Sequence, residues 1–349
     1  MKVLVSALEH SANIHLKYLV KELGEEVILS GIFDNALGDS IVDLRSTSVM
    51  GFVDALTKLP FFFRLKDQMV ELAHDADKVL LIDSSGFNLP LAKAIRKRYP
   101  AKEIIYYILP QAWAWKKKRI PILEKTITKL CSILPFEPSY YSPKAPIEYV
   151  GHPLLDEITI RKTDLAHSGK ITFMPGSRPG EIKRLMPVFR ELRPMLSSRA
   201  LIVIPPHFSD EEIQELYGDI STFEITHEAH QSLADSDFAF ICSGTATLEA
   251  SLIGIPFILA YIAKPLDYAI ASRLVKLDYL GLGNILFSQA YGKSLHPELI
   301  QKEVTAQNLY NTYQQMDTIA FFNDAARLRD LLKHGSSVRV SQIIKDTNA

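Results

Sequence analysis

Short apolar runs alternate with amphipathic stretches along the whole chain. In the first half these runs predict strands at Val3–Ala7, Val27–Ile32, Lys78–Ile82, Ile104–Leu109, Leu130–Leu134 and Ile147–Val150. In the second half they predict strands at Ile171–Met174, Leu201–Ile204, Phe223–Thr226, Phe238–Cys242 and Pro256–Ala260. Helical patterns lie between several of them, at Asn13–Leu23, Leu89–Arg98, Pro179–Leu196, Asp210–Tyr217, Thr245–Leu252 and Leu266–Val275. Continuous apolar strands that alternate with helices are typical of parallel sheets covered on both faces.

The two series of strands predict an α/β protein with two doubly wound, Rossmann-like domains. We place their boundary in the polar stretch Leu155–Lys170, so that residues 1–160 form the first domain and residues 161–349 the second. After about Ser294 the pattern turns fully helical, and these C-terminal helices are expected to pack on a domain face or on a partner subunit in a homodimer. Ligands bind beyond the carboxyl ends of parallel strands, so two such sheets that face each other would form a cleft.

Composition excludes several classes of protein. The 349 residues exceed the usual size of a single core, and the net charge of -1 gives no reason to expect a nucleic-acid partner. The two cysteines, Cys131 and Cys242, lie in apolar strands, so no disulfide framework is predicted and a reducing cytosol is favoured. No apolar run reaches the roughly 20 residues that span a bilayer. Membrane contact would therefore be at the surface.

The sharpest motif directly follows the predicted strand Ile171–Met174 and reads Pro175-Gly176-Ser177-Arg178-Pro179-Gly180-Glu181. Its glycines let backbone amides approach a ligand, and the helix that begins at Pro179 offers its N-terminus to an anion. Arg178 could hold a phosphate group through two parallel hydrogen bonds. The alternative is an ordinary strand-to-helix turn in which Arg178 is solvated.

A second motif, from Ser243 to Glu249, follows the predicted strand Phe238–Cys242. Ser243, Gly244 and Thr245 begin a helix with small residues, which exposes backbone amides to a pyrophosphate. Glu249 lies one turn further on, a rise of about 5.4 Å, where its carboxylate could accept hydrogen bonds from a ribose. The alternative is a capped helix with Glu249 exposed. Neither motif is the dinucleotide glycine fingerprint, so a nicotinamide dehydrogenase is not predicted.

Asp83 follows the predicted strand Lys78–Ile82 and is a candidate general base, because it lies at the strand end that borders the expected cleft. The alternative is that Asp83 caps the next helix. In that case His152, which follows the strand Ile147–Val150, is the competing base.

Two acidic pairs resemble the aspartates that hold a divalent metal in other enzymes. They are Asp75 with Asp77 and Asp235 with Asp237. Both pairs precede strands and should lie at the edge of the sheet opposite to the ligands. We interpret them as turns, and we predict neither a metal ion nor another cofactor.

Two clusters of aromatic and basic residues predict contact with an anionic lipid surface. In the first, three phenylalanines lie among Lys58, Arg64 and Lys66; in the second, both tryptophans of the chain precede four cations. The alternative is that each group of aromatic residues belongs to the core. The candidate surface residues are Phe61, Phe62, Phe63, Trp113, Trp115, Lys116 and Lys117.

With these motifs in order, the chain resembles lipid-A-disaccharide synthases along most of its length. The landmarks of the first half are Val49-Met50-Gly51 with Val53, Ile82-Asp83 with Phe87-Asn88, Pro110 with Trp113-Ala114-Trp115 and Lys118-Arg119, Leu134-Pro135-Phe136-Glu137 and Gly151-His152. Those of the second half are Pro175-Gly176-Ser177-Arg178 with Glu181, Ser243-Gly244-Thr245-Ala246 with Leu248-Glu249, Lys264-Pro265, Arg273-Leu274-Val275-Lys276 and Asp278-Tyr279 leading to Asn284. The Trp-Ala-Trp element within this ordered series makes the resemblance specific.

The resemblance implies a two-domain fold of the GT-B glycosyltransferase type, with the UDP-sugar held by the second domain. It implies a metal-independent, inverting transfer from UDP-2,3-diacylglucosamine to 2,3-diacylglucosamine 1-phosphate, which forms a β-1,6 linkage. It also implies a cytoplasmic enzyme that is peripheral on the inner membrane of a Gram-negative bacterium. Six positions match functional residues of the family. They are Glu9 and Ser11 in the first loop on the acceptor side, Asp83 as the catalytic residue, and Arg178, Glu249 and Asn284, which are expected to bind UDP.

The chain departs from the family pattern at three places. The first loop, Leu8–Asn13, lacks two glycines and an aspartate of the family; Gly86 replaces a second aspartate, and Gly283 replaces a proline. Two other functions stay open at this point. One is a UDP-sugar epimerase or hydrolase on the same architecture, and the other is a non-catalytic relative that binds lipid or nucleotide.

Overall fold

The computed structural model describes residues 1–42, 59–114, 116–264 and 278–346. Its strands are β1 (Lys2–Ser6), β2 (Ile28–Ile32), β3 (Lys78–Ile82), β4 (Glu103–Tyr107), β5 (Lys129–Ser132), β6 (Ile147–Tyr149), β7 (Lys170–Met174), β8 (Arg199–Val203), β9 (Glu224–Thr226), β10 (Phe238–Cys242), β11 (Phe257–Tyr261) and β12 (Glu298–Ile300). Its α-helices are α1 (His10–Leu23), α2 (Leu59–Leu72), α3 (Ser85–Arg98), α4 (Ile120–Thr126), α5 (Pro153–Glu157), α6 (Pro179–Leu192), α7 (Asp210–Tyr217), α8 (Ala229–Asp235), α9 (Thr245–Ile253), α10 (Leu282–Tyr291), α11 (Ala306–Gln315), α12 (Thr318–Leu331) and α13 (Ser336–Lys345).

The chain divides into two compact units. The first consists of Met1–Glu157 together with Leu332–Ala349, and the second consists of Ile158–Leu331. Each unit contains one six-stranded sheet whose paired strands are parallel. The structure therefore confirms the predicted fold class of two doubly wound α/β units.

In the first unit the strand order is β2-β1-β3-β4-β5-β6. All five residues of β3 are buried, which explains why this strand reads as a continuous apolar run. Apolar clusters cover both faces of the sheet, one including Leu81 and Tyr106 and the other including Val5 and Tyr107. The direction of strand addition reverses between β1 and β3, and this reversal is where doubly wound sheets bind their ligands.

In the second unit the strand order is β12-β11-β10-β7-β8-β9. All five residues of β10 are buried, as in β3. Stacked and edge-on aromatic rings fill one face of this sheet; the ring centroids of Phe173 lie 5.2 Å from those of Phe189, Phe223 and Phe240. The order reverses between β7 and β10, so the ligand-binding edge of this unit lies between their carboxyl ends.

Two features of the C-terminal region differ from the prediction. The pattern after Ser294 is not fully helical, because Glu298–Ile300 forms the edge strand β12 and pairs with β11. Such a three-residue strand is too short to produce a recognisable alternation. The predicted helix Leu266–Val275 lies outside the described residues.

The last helix belongs to the first unit, whereas the sequence had placed all the C-terminal helices in the second. Val340 and Ile344 on α13 are buried in the cluster that covers the α1 side of the first sheet. Ser341 Oγ donates a hydrogen bond of 2.9 Å to the Glu22 carbonyl. Asp156 accepts hydrogen bonds from the backbone N–H groups of Gly335 and Ser337, and these bonds anchor the start of α13.

Candidate active site

The reversal point of the first sheet brings Glu9 and Asp83 to the same edge. Glu9 follows β1 and Asp83 follows β3, and these two strands are neighbours. Ser84 Oγ donates a hydrogen bond of 3.1 Å to Glu9 Oε1. The structure thus places two of the predicted site residues, from the first loop and the third strand, beside one turn.

The turn after β3 has an unusual backbone. Asp83 and Ser84 have φ angles of +50° and +43°, a region that residues with a Cβ atom adopt rarely. The turn is stabilised through the Asp83 carbonyl, which accepts a hydrogen bond of 2.7 Å from Tyr106 Oη and one of 2.9 Å from Asn88 Nδ2. Asn88 is fully buried and also bonds Ser6 on β1. Strained turns that the surrounding structure enforces are common at functional sites.

The Asp83 carboxyl has a pKa above the ordinary value for an aspartate. Burial raises its pKa, and the negative charge of Glu9 raises it further, while the backbone N–H of Ser84 opposes both effects. A carboxylate with a raised pKa is a stronger base once it is ionised. Ser84, not Asp83, is the residue that precedes helix α3 as its N-cap. This geometry suits a general base better than a helix cap.

His152, the competing base, is enclosed in the fold. It is 3% exposed, and burial lowers the pKa of its imidazole to about 3. Its Nδ1 accepts a hydrogen bond of 3.3 Å from the Leu154 N–H, and the backbone N–H of His152 donates to the Lys333 carbonyl. His152 therefore joins the segment after β6 to the segment before α13.

The first loop is held by a residue that sequence reasoning passed over. Asn13 Nδ2 donates hydrogen bonds to the carbonyls of Ala7 and Glu9, at 2.8 and 2.9 Å, and Asn13 Oδ1 accepts one from the Asp34 N–H. These three bonds shape the loop that lacks the family's glycines. Ser11, the other predicted residue of this loop, lies exposed on the first turn of α1.

In the second unit, the reversal point between β7 and β10 brings the two predicted phosphate motifs together. Arg178 is the N-cap residue of α6, its side chain is 81% exposed, and its Nη1 lies 3.0 Å from Glu181 Oε1. Gly176 has a φ of +108°, and a Cβ atom there would lie 2.8 Å from Glu181 Oε2 and 3.2 Å from Cys242 Sγ. The positive φ and these close contacts favour glycine in this turn, whose backbone lies close to the start of α6 and to the end of β10.

Helix α9 begins directly beside that turn. Gly244 is its N-cap residue with a φ of +155°, and a Cβ atom built on Gly244 would meet no atom within 4 Å. Gly244 and Thr245 are exposed and Ser243 is half-buried, so the start of α9 is accessible to a ligand. Glu249 lies one turn along this helix, with its Oε2 at 3.2 Å from His230 Nε2 on α8. Sequence reasoning had not found His230.

Asn284, predicted to contact UDP, makes its hydrogen bonds within the chain. It is fully buried, and its Nδ2 donates to the His296 carbonyl and to Glu298 Oε1, at 2.9 and 2.7 Å. Its Oδ1 accepts hydrogen bonds from the N–H groups of Leu295 and His296. All the hydrogen-bonding positions of this amide are thus occupied within the chain. Asn284 holds the segment before β12 against the start of α10.

The first aromatic cluster lies largely in the core. Phe61 and Phe62 on α2 pack against the core of the first unit, and the rings of Phe62 and Phe87 are 6.1 Å apart. Phe63 is 60% exposed, with Lys66 Nζ at 5.4 Å from the centre of its ring. Of the three predicted surface phenylalanines, Phe63 alone is mainly exposed. Lys58 lies outside the described residues.

The second cluster is also divided. Trp113 is 4% exposed and packs edge-on against Phe136, with ring centroids 4.8 Å apart, so its prediction as a surface residue was wrong. Its indole fills a space between Phe136 and Tyr140 that the sequence does not reveal. Lys116 is half-buried, whereas Lys117 is exposed, with its Nζ 5.8 Å from the centre of the Tyr140 ring. Trp115 lies outside the described residues.

Asp75 and Asp77 lie in the turn before β3, as predicted, whereas Asp235 is the last residue of α8 and Asp237 lies in the bend before β10. Asp237 accepts hydrogen bonds from the N–H groups of Ser168 and Gly169, and Asp77 accepts one from the Lys2 N–H. In the part of the chain that the structure describes, no group of three or more His, Cys, Asp or Glu side chains is arranged to hold a metal ion. The same residues include no helix that is long and apolar enough to cross a bilayer.

Comparison with known proteins decides the family. A family model described as lipid-A-disaccharide synthetase matches residues 3–320. The chain is 47% identical over 352 residues to the lipid-A-disaccharide synthase of Helicobacter pylori strain G27, covering 97% of this chain and 96% of that protein. The chain belongs to the lipid-A-disaccharide synthase family. It is an enzyme, a glycosyltransferase of lipid A biosynthesis.

A second relative agrees with this family, and a solved structure agrees with the fold. The lipid-A-disaccharide synthase of Campylobacter jejuni strain RM1221 is 43% identical, with 98% of this chain and 99% of that protein covered. The crystal structure of Acinetobacter baumannii MurG shares the fold, with a TM-score of 0.58 at 13% identity, covering 99% of this chain and 98% of that chain. The resemblance read from the sequence motifs is therefore confirmed, and so is the GT-B type of fold in this synthase family.

Proposed function

We propose that the chain joins UDP-2,3-diacylglucosamine to 2,3-diacylglucosamine 1-phosphate and releases UDP. The observation that carries this proposal is the placement of the candidate residues at the reversal point of each sheet. Glu9 and Asp83 lie at the reversal point of the first sheet. Arg178 and the start of α9 lie at that of the second. One unit would bind the acceptor and the other would bind the UDP-sugar.

The proposed reaction is a single displacement at the anomeric carbon of the donor. The 6-hydroxyl oxygen of the acceptor forms a bond to this carbon as the bond to the UDP oxygen breaks, and the configuration inverts. Asp83 accepts the proton of the attacking hydroxyl. The pKa of Asp83 is raised by burial and by Glu9, which supports this role because the ionised carboxylate binds a proton more strongly.

Charge on the leaving diphosphate would be stabilised by groups of the second unit. Arg178 is exposed at the N-terminus of α6, and the backbone N–H groups at Ser243–Thr245 begin α9. Fixed donors that meet the developing charge can replace a metal ion in this role. Glu249, one turn along α9, would accept hydrogen bonds from the ribose. Asn284 would act indirectly, by holding the segment before β12.

One assay separates this function from its rivals. The protein is incubated with radiolabelled UDP-2,3-diacylglucosamine, with and without the lipid acceptor, and the products are resolved by thin-layer chromatography. Acceptor-dependent disaccharide supports the proposal. An acceptor-independent monosaccharide or an epimer would instead indicate a hydrolase or an epimerase, and an unchanged donor would indicate a binding protein. Repeating the assay with excess EDTA tests metal independence, since activity that needs added magnesium or manganese would contradict it.

Surface binding to the inner membrane, with acylated substrates drawn from it, is part of the proposal. Two exposed residues support it, because each pairs an aromatic ring with a cation: Phe63 lies beside Lys66, and Lys117 lies beside Tyr140.

A homodimer through the C-terminal helices remains a prediction. The apolar residues Phe321 and Leu328 of α12, like Val340 of α13, are buried within the chain itself. Analytical ultracentrifugation at several concentrations would show whether dimers form.

A further inference from the structure

A histidine contacts the carboxylate that we assign to the ribose. His230 Nε2 on α8 lies 3.2 Å from Glu249 Oε2 on α9. The Glu249 side chain is 20% exposed and that of His230 is 41% exposed. The two side chains are thus partly enclosed by the fold but still accessible from solvent, which suits groups that a ligand covers when it binds.

The helix that carries His230 is firmly anchored. Ser232, two residues further along α8, is buried, and its carbonyl accepts a hydrogen bond of 3.1 Å from Thr172 Oγ1 on β7. Ser232 Oγ lies 3.1 Å from Thr226 Oγ1 on β9. Helix α8 also packs against α9. His230 therefore projects from a helix whose position is fixed relative to the sheet and to Glu249.

A glutamate that must accept a hydrogen bond from a ribose benefits from being held in one rotamer, because a free side chain loses conformational entropy when a ligand orders it. A contact between His230 and Oε2 leaves Oε1 of Glu249 available. We propose that His230 is a positioning residue of the nucleotide site, which holds Glu249 so that Oε1 meets a hydroxyl of the ribose. This inference rests on the proposed function, since it assumes that UDP binds beside α9.

The hydrogen bond needs a proton on Nε2. The neutral Nε2–H tautomer supplies one, and so does the protonated ring. His230 can therefore donate to Glu249 in either charge state, with the neutral ring in its Nε2–H tautomer. His230 acts by fixing the position of the Glu249 carboxylate. Its loss should therefore weaken the recognition of the ribose hydroxyls more than the recognition of the diphosphate.

The test compares UDP with the two uridine diphosphates that lack the 2′ or the 3′ hydroxyl, by isothermal titration calorimetry on the full chain. The wild type should bind UDP more tightly than at least one deoxy analogue. His230→Ala should weaken UDP binding about 3- to 10-fold, the range of one hydrogen bond. The same variant should bind that deoxy analogue nearly as well as the wild type does. The ratio of the affinity for UDP to the affinity for the deoxy analogue is therefore smaller in His230→Ala than in the wild type.

Two further variants keep the test specific. His230→Gln retains an N–H donor at similar reach and should restore part of the ratio. Gln231→Ala changes the next residue of α8, whose Nε2 donates to Asp235, and should leave the ratio unchanged. Adding His230→Ala to Glu249→Ala should cause no further loss of UDP affinity, because the two residues act as one unit.

The possible failures are distinguishable. An equal loss of affinity for all three nucleotides in His230→Ala, or an unchanged ratio, would overturn the positioning role while disaccharide synthesis stands. If the wild type binds all three nucleotides equally, Glu249 does not contact a ribose hydroxyl, and the positioning role of His230 is rejected as well. A wild type that binds no UDP and forms no disaccharide would reject the proposed function itself.

Discussion

Glu9 raises the pKa of Asp83 across the turn that follows β3. Ser84 lies between the two carboxylates, because its Oγ donates to Glu9 and its backbone N–H acts on Asp83. A residue of the first loop thus tunes the candidate base on a neighbouring strand. Removing the charge of Glu9 should therefore lower the pKa of Asp83.

Glu9→Gln removes one of the two effects that raise the pKa of Asp83. The proposed base must be ionised to accept the proton, so kcat/KM should rise with pH through the pKa of Asp83. In the variant the acidic limb of the profile should move to lower pH. The pH at which this limb lies is the quantity to measure. The height of the profile is less informative, because Glu9 can also change kcat/KM by contacting the acceptor substrate. Glu25→Gln, an exposed carboxylate just beyond α1, serves as the control and should leave the limb where it is. An unmoved limb in Glu9→Gln would contradict the coupling.

Asp83→Asn should lower kcat by about 10²–10⁴-fold while UDP affinity stays near that of the wild type. The amide keeps the size of the side chain but cannot accept the proton. His152→Asn should cost less in kcat than Asp83→Asn, and the remaining effect should appear as lower stability, because His152 is buried and bonds the backbone. Both variants are measured with saturating substrates, and circular dichroism checks their folding. The reverse ranking would make His152 the base.

Arg178→Ala should weaken UDP binding by roughly 10- to 100-fold, the loss of a charge-assisted hydrogen bond. Binding of uridine, which lacks the diphosphate, should not change. Arg178→Lys keeps the charge and should recover part of the UDP affinity. Arg190→Ala removes an exposed arginine near the other end of α6 and is the matched control. Equal losses for UDP and uridine would show that Arg178 acts on the fold, not on the diphosphate.

Binding to vesicles that contain anionic lipid should weaken as the salt concentration rises, because polybasic contacts are screened within a Debye length. Lys117→Glu with Lys118→Glu should weaken it further, and so should Phe63→Ser. Lys17→Glu with Lys21→Glu makes the same charge change on α1 and should have a smaller effect. Cosedimentation at two salt concentrations measures all of these. Binding that is insensitive to both salt and Lys117 would argue against this surface.

Glu137→Gln should stabilise the protein at alkaline pH. Burial raises the pKa of Glu137 to about 8. The unfolded chain loses this proton above about pH 4.5, whereas the folded chain keeps it to about pH 8, so stability falls as pH rises between these values. At pH 7.5 the cost is on the order of 4 kcal/mol. Glutamine avoids this cost, and its amide oxygen can still accept the Ser132 hydrogen bond.

Urea unfolding at pH 5 and pH 8 tests this prediction, with the larger gain expected at pH 8. Glu148 offers a control of opposite sign. Its pKa is lowered, chiefly by the hydrogen bond from Arg339, so Glu148→Gln should lose stability at neutral pH relative to acidic pH. A gain in stability that is no larger at pH 8 than at pH 5 would contradict a raised pKa of Glu137 in the folded protein.

The sheets could be predicted because their central strands are buried on both faces. Runs such as Lys78–Ile82 and Phe238–Cys242 carry this burial in the sequence, and the segments that follow them carry Asp83 and the second phosphate motif. The strand order, and with it the two reversal points, is known only from the structure. By contrast, the helical pattern of α13 shows that it has an apolar face without showing which sheet that face covers.

The details of the site depended on contacts between distant segments. The bond of Asn88 to Ser6 and the contact of His230 with Glu249 join different elements, and no local pattern encodes either pair. Trp113 shows the same limit, because an aromatic residue beside lysines suits a buried position and a surface position equally well. Asn284 follows a family motif, but only its four internal hydrogen bonds reveal that it is structural.

The packing of α13 on the first unit has a consequence for synthesis on the ribosome. Val340, Ile343 and Ile344 cover one apolar face of a sheet whose strands lie in the first 149 residues. The whole of Ile158–Leu331 must be translated before these residues emerge, which takes roughly 10–35 s at ordinary elongation rates. During that interval the nascent sheet exposes apolar surface, and it is then a natural substrate for chaperones. The second unit, although made later, is the first that can finish folding.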